Sequence, residues 1–104
     1  MRLTHRQIEQ IKITTEKTVN DILGAGFAGV TLFGSRVDDT KRGGDIDLMV
    51  TTNKPVENPS RLMARIWTDL QFALGEQKID VLLDAPNLMR QPIHDVARAH
   101  GILL

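Results

Sequence analysis

Three groups of residues have the types and spacing to do chemistry together: Gly34-Ser35-Arg36, Asp45-Ile46-Asp47, and Asp80. In an extended strand, residues two apart project to one face about 7 Å apart. Asp45 and Asp47 are therefore expected as a carboxylate pair on one side of a strand whose other side carries Ile46, Leu48 and Val50. With the strand around Asp80 alongside, at the ~4.8 Å spacing of neighbouring strands, Asp80 joins the pair. Three carboxylates that close repel one another unless a divalent cation neutralises them. Oxygen-only ligands select a hard ion, Mg²⁺ or Mn²⁺, and metal pairs ~3.5–4 Å apart serve in-line displacement at phosphorus. A glycine directly after a buried strand lets backbone approach a ligand closely. The amides of the following turn and the Ser35 hydroxyl suit phosphate oxygens, and Arg36 adds a charge-assisted contact. The chemistry implied is attack on a nucleotide phosphate.

The elements that must position these groups are legible from periodicity. Thr4, with Gln7 three residues on, reads as a capping box opening a helix over residues 5 to 24, with Ile8, Ile11, Val19, Ile22 and Leu23 at helical spacing. Ala28 to Phe33 reads as a buried strand, Ser35 to Gly44 as a loop with room for one helical turn, and Asp45 to Val50 as a half-buried strand. Thr51 to Pro59 reads as a linker too short to separate domains, after which Ser60 is expected to cap a helix bearing Leu62, Ile66, Leu70, Ala73 and Leu74, reinforced by Met63 and Trp67. Lys78 to Asp84 alternates as a third strand, and Pro92 opens a short helix over residues 92 to 100. The apolar end Ile102-Leu103-Leu104 reads as a terminal strand docked on a sheet edge, with a partner contact as the alternative.

Other polar residues receive plainer readings. His5, His94 and His100 lack metal-ligand spacing and suit surface or capping roles, although the last two fall near the rim of such a site. Asp38, Asp39, Lys41 and Arg42 read as a solvated loop, or otherwise a rim that meets the acceptor. Asp84 faces the same way as Asp80 but suits a cap or turn, and Trp67 is expected in the core. No Gly-x-Ser-x-Gly elbow surrounds Ser35, so it is not read as a hydrolase nucleophile.

The run Leu32-Phe33-Gly34-Ser35-Arg36, then Gly44-Asp45-Ile46-Asp47-Leu48, with the strand Lys78-Ile79-Asp80-Val81, resembles the minimal nucleotidyltransferases, the small branch of the DNA polymerase β superfamily. The resemblance spans nearly the whole chain. It implies an α+β nucleotidyltransferase fold: a small mixed sheet with helices packed on one face and NTP with Mg²⁺ over the other. It also implies that Gly34 and Ser35 hold the triphosphate, that Asp45 and Asp47 bind metal, and that Asp80 completes the site and helps deprotonate the attacking hydroxyl. Nine residues separate Ser35 from Asp45, one fewer than the commonest form, and Gly44 stands where serine is frequent. Minimal nucleotidyltransferases are commonly paired with a small helical HEPN-domain protein, and in toxin–antitoxin versions the transferase attaches AMP from ATP to a tyrosine of the HEPN toxin, an RNase. The expectation is thus a Mg²⁺-dependent nucleotidyltransferase that modifies such a partner. The alternatives are an antitoxin that only masks its partner, its nucleotide site vestigial or regulatory, and an enzyme modifying an aminoglycoside or nucleoside.

Composition narrows the classes further. The 104 residues fit one domain, residues 1–104, with no room for a separate acceptor-binding unit. Lys+Arg and Asp+Glu are both 13, which argues against direct, sequence-independent nucleic-acid binding. Absence of cysteine excludes disulfides, thiolate metal sites and a cysteine nucleophile together. No stretch approaches the ~18 apolar residues of a membrane span, and Met1 to Arg6 has no apolar leader core, so the expectation is a cytoplasmic protein. The apolar C-terminus and neutral charge hint at assembly, with a homo-oligomer as an alternative to the HEPN partner.

Overall fold

A computed structural model describes residues 2–38, 40 and 44–104. Helix α1 spans His5–Leu23 and begins as its sequence dictates: Thr4 Oγ1 accepts from the Gln7 N–H at 3.1 Å and Gln7 Oε1 accepts from the Thr4 N–H at 2.8 Å. It stops because Gly24 turns to φ 81°. Strand β1 (Phe27–Phe33) follows, then a single 3-10 turn, Gly34–Val37. Strand β2 runs Ile46–Thr52, helix α2 Pro59–Leu74, strand β3 Ile79–Asp84, helix α3 Pro92–His100, and strand β4 Ile102–Leu103.

The sheet order is β3-β2-β1-β4. β1 is antiparallel to both β2 and β4, while β2 and β3 are parallel, as they must be with α2 crossing between them. This is the α+β, mixed-sheet architecture expected from the sequence. The terminal apolar residues dock on the free edge of β1, with Ile102 opposite Leu32 and Leu103 opposite Thr31. That pairing is the terminal-strand reading.

Helices α1 and α2 cover one face. Ile11 and Val19 from α1 and Leu62, Ile66 and Leu70 from α2 enclose Val30, Leu32, Ile46, Leu48 and Val50, all essentially inaccessible. Each such side chain contributes roughly 1.5–3 kcal/mol of transfer free energy. A hydrogen bond from Thr18 Oγ1 to Asp69 Oδ2 at 2.7 Å ties the two helices beside this core. The opposite face is not bare: Ala97 of α3 packs on Phe33, Met49 and Leu82, a smaller cluster that roofs the middle of the sheet. The carboxylates share this second face with α3.

Four sequence readings need correcting. The cap of α2 is Asn58 rather than Ser60: its side chain accepts from the Arg61 N–H at 3.1 Å, and Pro59 occupies the first turn, where its missing N–H costs nothing. Trp67 is 47% exposed rather than core. Successive helical residues turn by about 100°, and with Ile66 aimed at the sheet, Trp67 is carried onto the flank. Asp45 stands just ahead of β2, and Thr51 and Thr52, expected in the linker, extend β2 opposite Gly29 and Phe27. The rest of that linker is pinned by Asn87, which exchanges two hydrogen bonds of 2.8 Å with the backbone of Val56. Of the loop read as solvated, Asp39, Lys41 and Arg42 lie outside the described residues. Asp38 accepts from both the N–H and the hydroxyl of Thr40, a local turn-forming bond.

Candidate active site

β1 delivers Phe33 opposite Asp47 of β2, so the residue after the strand, Gly34, sits against the Asp47 carboxylate. Two independent constraints make that residue glycine. Its φ is 75°, and a Cβ there would overlap Asp47 Oδ2. The Gly-Ser motif and the Asp-x-Asp motif are therefore in atomic contact. The two ends of the loop also meet, because a Cβ on Gly44, at φ 91°, would overlap Ser35 Oγ. Glycine in the position where serine is frequent leaves that space to the Ser35 hydroxyl.

The parallel register places Asp47 directly opposite Asp80. Ile46, opposite Ile79, fixes this register from the core side, and its N–H donates to Lys78 O at 2.9 Å. Asp80 is exposed, whereas Asp45 and Asp47 are half-buried. Partial burial raises the Asp47 carboxyl to about 6, and a hydrogen bond with Asp80 and the charges of Asp80 and Asp45 act in the same direction.

Arg36, expected on phosphate, closes the neck of the loop: Nε donates to Gly44 O at 3.3 Å and Nη1 to Arg2 O at 3.0 Å. Arg2 was not singled out from sequence, since an arginine ahead of a helix cap carries no periodic or motif signal. Among the described residues, no group of three His, Asp or Glu side chains is arranged to hold a metal ion as it stands. The donor set nonetheless fits Mg²⁺. It is all carboxylate, it is short of positive charge, and Mg²⁺ is ordinarily held by one or two carboxylates together with substrate phosphates and water rather than by a protein cage.

The remaining polar candidates fall outside this cluster. His5 and His100 are exposed. His94 is buried and caps α3: Nδ1 accepts from the Gln91 N–H at 2.9 Å and Nε2 meets Leu83 O at 2.8 Å. These two bonds fix the Nε2–H tautomer. Asp84 pairs with Arg98 of α3. A cavity of about 670 Å³ between α2 and the start of β3 is lined by Trp67, Gln71, Phe72 and Lys78, none of which belongs to the carboxylate cluster.

The sequence model of the nucleotidyltransferase domain matches residues 13–95, a stretch that contains Gly34, Ser35, Arg36, Asp45, Asp47 and Asp80. This chain belongs to the nucleotidyltransferase domain family. The membership reaches the DNA polymerase β superfamily that the sequence resembles, and nucleotidyl transfer is the general activity it carries. Nucleotidyltransferase domains usually use a divalent metal and an NTP. No curated protein matches the chain. Among the described residues of this nucleotidyltransferase domain, no helix is long and apolar enough to cross a membrane.

Proposed function

We propose that this nucleotidyltransferase domain transfers AMP from ATP to a hydroxyl, that of a tyrosine, on a HEPN-type toxin and thereby acts as its antitoxin. The observation that carries the reading is the Asp47–Asp80 pair, held in register beside a glycine whose side-chain space the Asp47 carboxylate already fills. Gly34 and Ser35 hold the triphosphate, with Arg36 at the neck of the loop beside them. Asp45, Asp47 and Asp80 would hold Mg²⁺ or Mn²⁺, which when bound supplies positive charge to the α-phosphate and the departing pyrophosphate. Asp80, the exposed member, takes the proton of the attacking hydroxyl. The acceptor oxygen forms its bond to the α-phosphorus, the bond from that phosphorus to the bridging oxygen breaks, and pyrophosphate leaves with the electron pair. The apolar surface of Trp67 and Phe72, 47% and 86% exposed, supports a docked partner.

The test is co-expression with a neighbouring-gene HEPN-domain protein, once with the wild-type chain and once with Asp45→Asn and Asp47→Asn together, followed by the intact mass of the purified partner. An AMP-sized increment with the wild type alone supports the proposal. A stable complex without increment in either sample, given ATP and Mg²⁺, makes the chain a masking antitoxin instead.

A further inference from the structure

Arg2 holds three carbonyls of the segment that leaves Gly34. Its backbone N–H donates to Arg36 O at 2.8 Å, Nη2 donates to Ser35 O at 3.0 Å, and Nε donates to Asp38 O at 3.1 Å. The tie is reciprocal, because Arg36 Nη1 donates back to Arg2 O at 3.0 Å while its Nε reaches Gly44 O at 3.3 Å. Two guanidinium groups thus fasten both ends of the loop to each other and to residue 2. Residue 2 is itself anchored, since Leu3 packs on the main core and Thr4 caps α1.

The turn being held has almost no slack. Gly34 abuts the Asp47 carboxylate on one side, and Ser35 Oγ abuts Gly44 on the other. Releasing Ser35 and Asp38 frees the backbone to move away from the carboxylates, which separates the two halves of the site.

The geometry points to Arg2 as a positioning residue for nucleotide: through Ser35, Arg36 and Asp38 it fixes the Gly34–Ser35 turn against Asp47. This rests on the transferase reading above. Positive charge alone does not do the task. Nε and Nη2 serve two different carbonyls from one rigid plane, and a lysine ammonium has no such fork.

The experiment compares wild type, Arg2→Met and Arg2→Lys by calorimetric titration with Mg·ATP and by amide hydrogen exchange, with the α2 amides as an internal control. In Arg2→Met the Asp38 amide exchanges about tenfold faster with α2 unchanged, and Mg·ATP binds about tenfold more weakly; Arg2→Lys restores neither. Unchanged exchange at Asp38 overturns the proposal. Faster exchange with undiminished nucleotide affinity also overturns it, leaving Arg2 a purely structural tie. A wild-type chain that binds no Mg·ATP defeats the transferase reading and the nucleotide role of Arg2 with it, and is told apart from failure of the clamp alone by that titration.

Discussion

Asp47 and Asp80 stand directly opposite each other on the parallel strands β2 and β3, Asp47 half-buried and Asp80 exposed. Burial of Asp47, with Asp80 and Asp45 close by, disfavours the charged form of its carboxyl.

The pH dependence of stability follows with a definite sign. Asp47 is raised to about 6 in the folded protein, by burial first and by Asp80 and Asp45 next, against ~3.9 for an unfolded aspartate. The folded state binds the proton more tightly, so this contribution is fully present below pH ~4 and is lost as pH rises through about 6. Urea unfolding of metal-free protein across that window will show stability falling with pH, and less steeply in Asp47→Asn. A carboxyl ¹³C titration of Asp47 at the ordinary aspartate value would contradict this.

Gly34→Ala places a methyl group onto the Asp47 carboxylate at a φ of 75°. Conformations of this kind cost about 1–3 kcal/mol each, before the collision is counted. The expected outcome is a fold that survives with lowered stability and a displaced Asp47, read by denaturant unfolding together with loss of Mg·ATP binding. Wild-type affinity in Gly34→Ala would show that the turn does not need its glycine.

Neighbouring residues of α2 should respond very differently to truncation. Ile66 is inaccessible against β-strand side chains, and Ile66→Ala is expected to cost about 2–5 kcal/mol, whereas Trp67→Ala, on the flank, should cost far less. Chemical denaturation of the two variants measures the contrast. Equal losses would place Trp67 in the core after all.

Arg98 pairs with Asp84 at the far end of β3 from Asp80, and the Arg98 side chain is 44% exposed. Partly exposed pairs of this kind contribute about 0–1 kcal/mol. Arg98→Ala should therefore cost little stability and leave Mg·ATP affinity unchanged by calorimetry. A large loss of affinity would extend the site along β3 to Asp84.

Most of the fold was legible because its signals are local. Helix α1 carries its own capping box, and β2 and β3 each alternate with period two, which put Asp47 and Asp80 on outward faces. What was not legible depends on partners distant in sequence. Thr51 and Thr52 are strand because Gly29 and Phe27 lie opposite them, although their composition reads as linker. Asn58 and Ser60 are both competent caps, and only the position of Pro59 in the first turn decides between them. Trp67 fits the helical stripe on paper, but Ile66 takes the place facing the sheet. In the site, the residue types and the shared face of Asp47 and Asp80 on neighbouring strands were readable, while their exact register, the contact of Gly34 with Asp47 and the clamp by Arg2 are properties of chain path.

The most direct measurement uses ATP labelled at either the α- or the γ-phosphate, with Mg²⁺, the HEPN partner, and wild-type or Asp47→Asn chain of matched circular dichroism. The account predicts that the α-label alone appears on the partner, and that Asp47→Asn transfers none while remaining folded. Appearance of the γ-label, or equal α-label transfer by Asp47→Asn, would contradict nucleotidyl transfer through this pair of carboxylates.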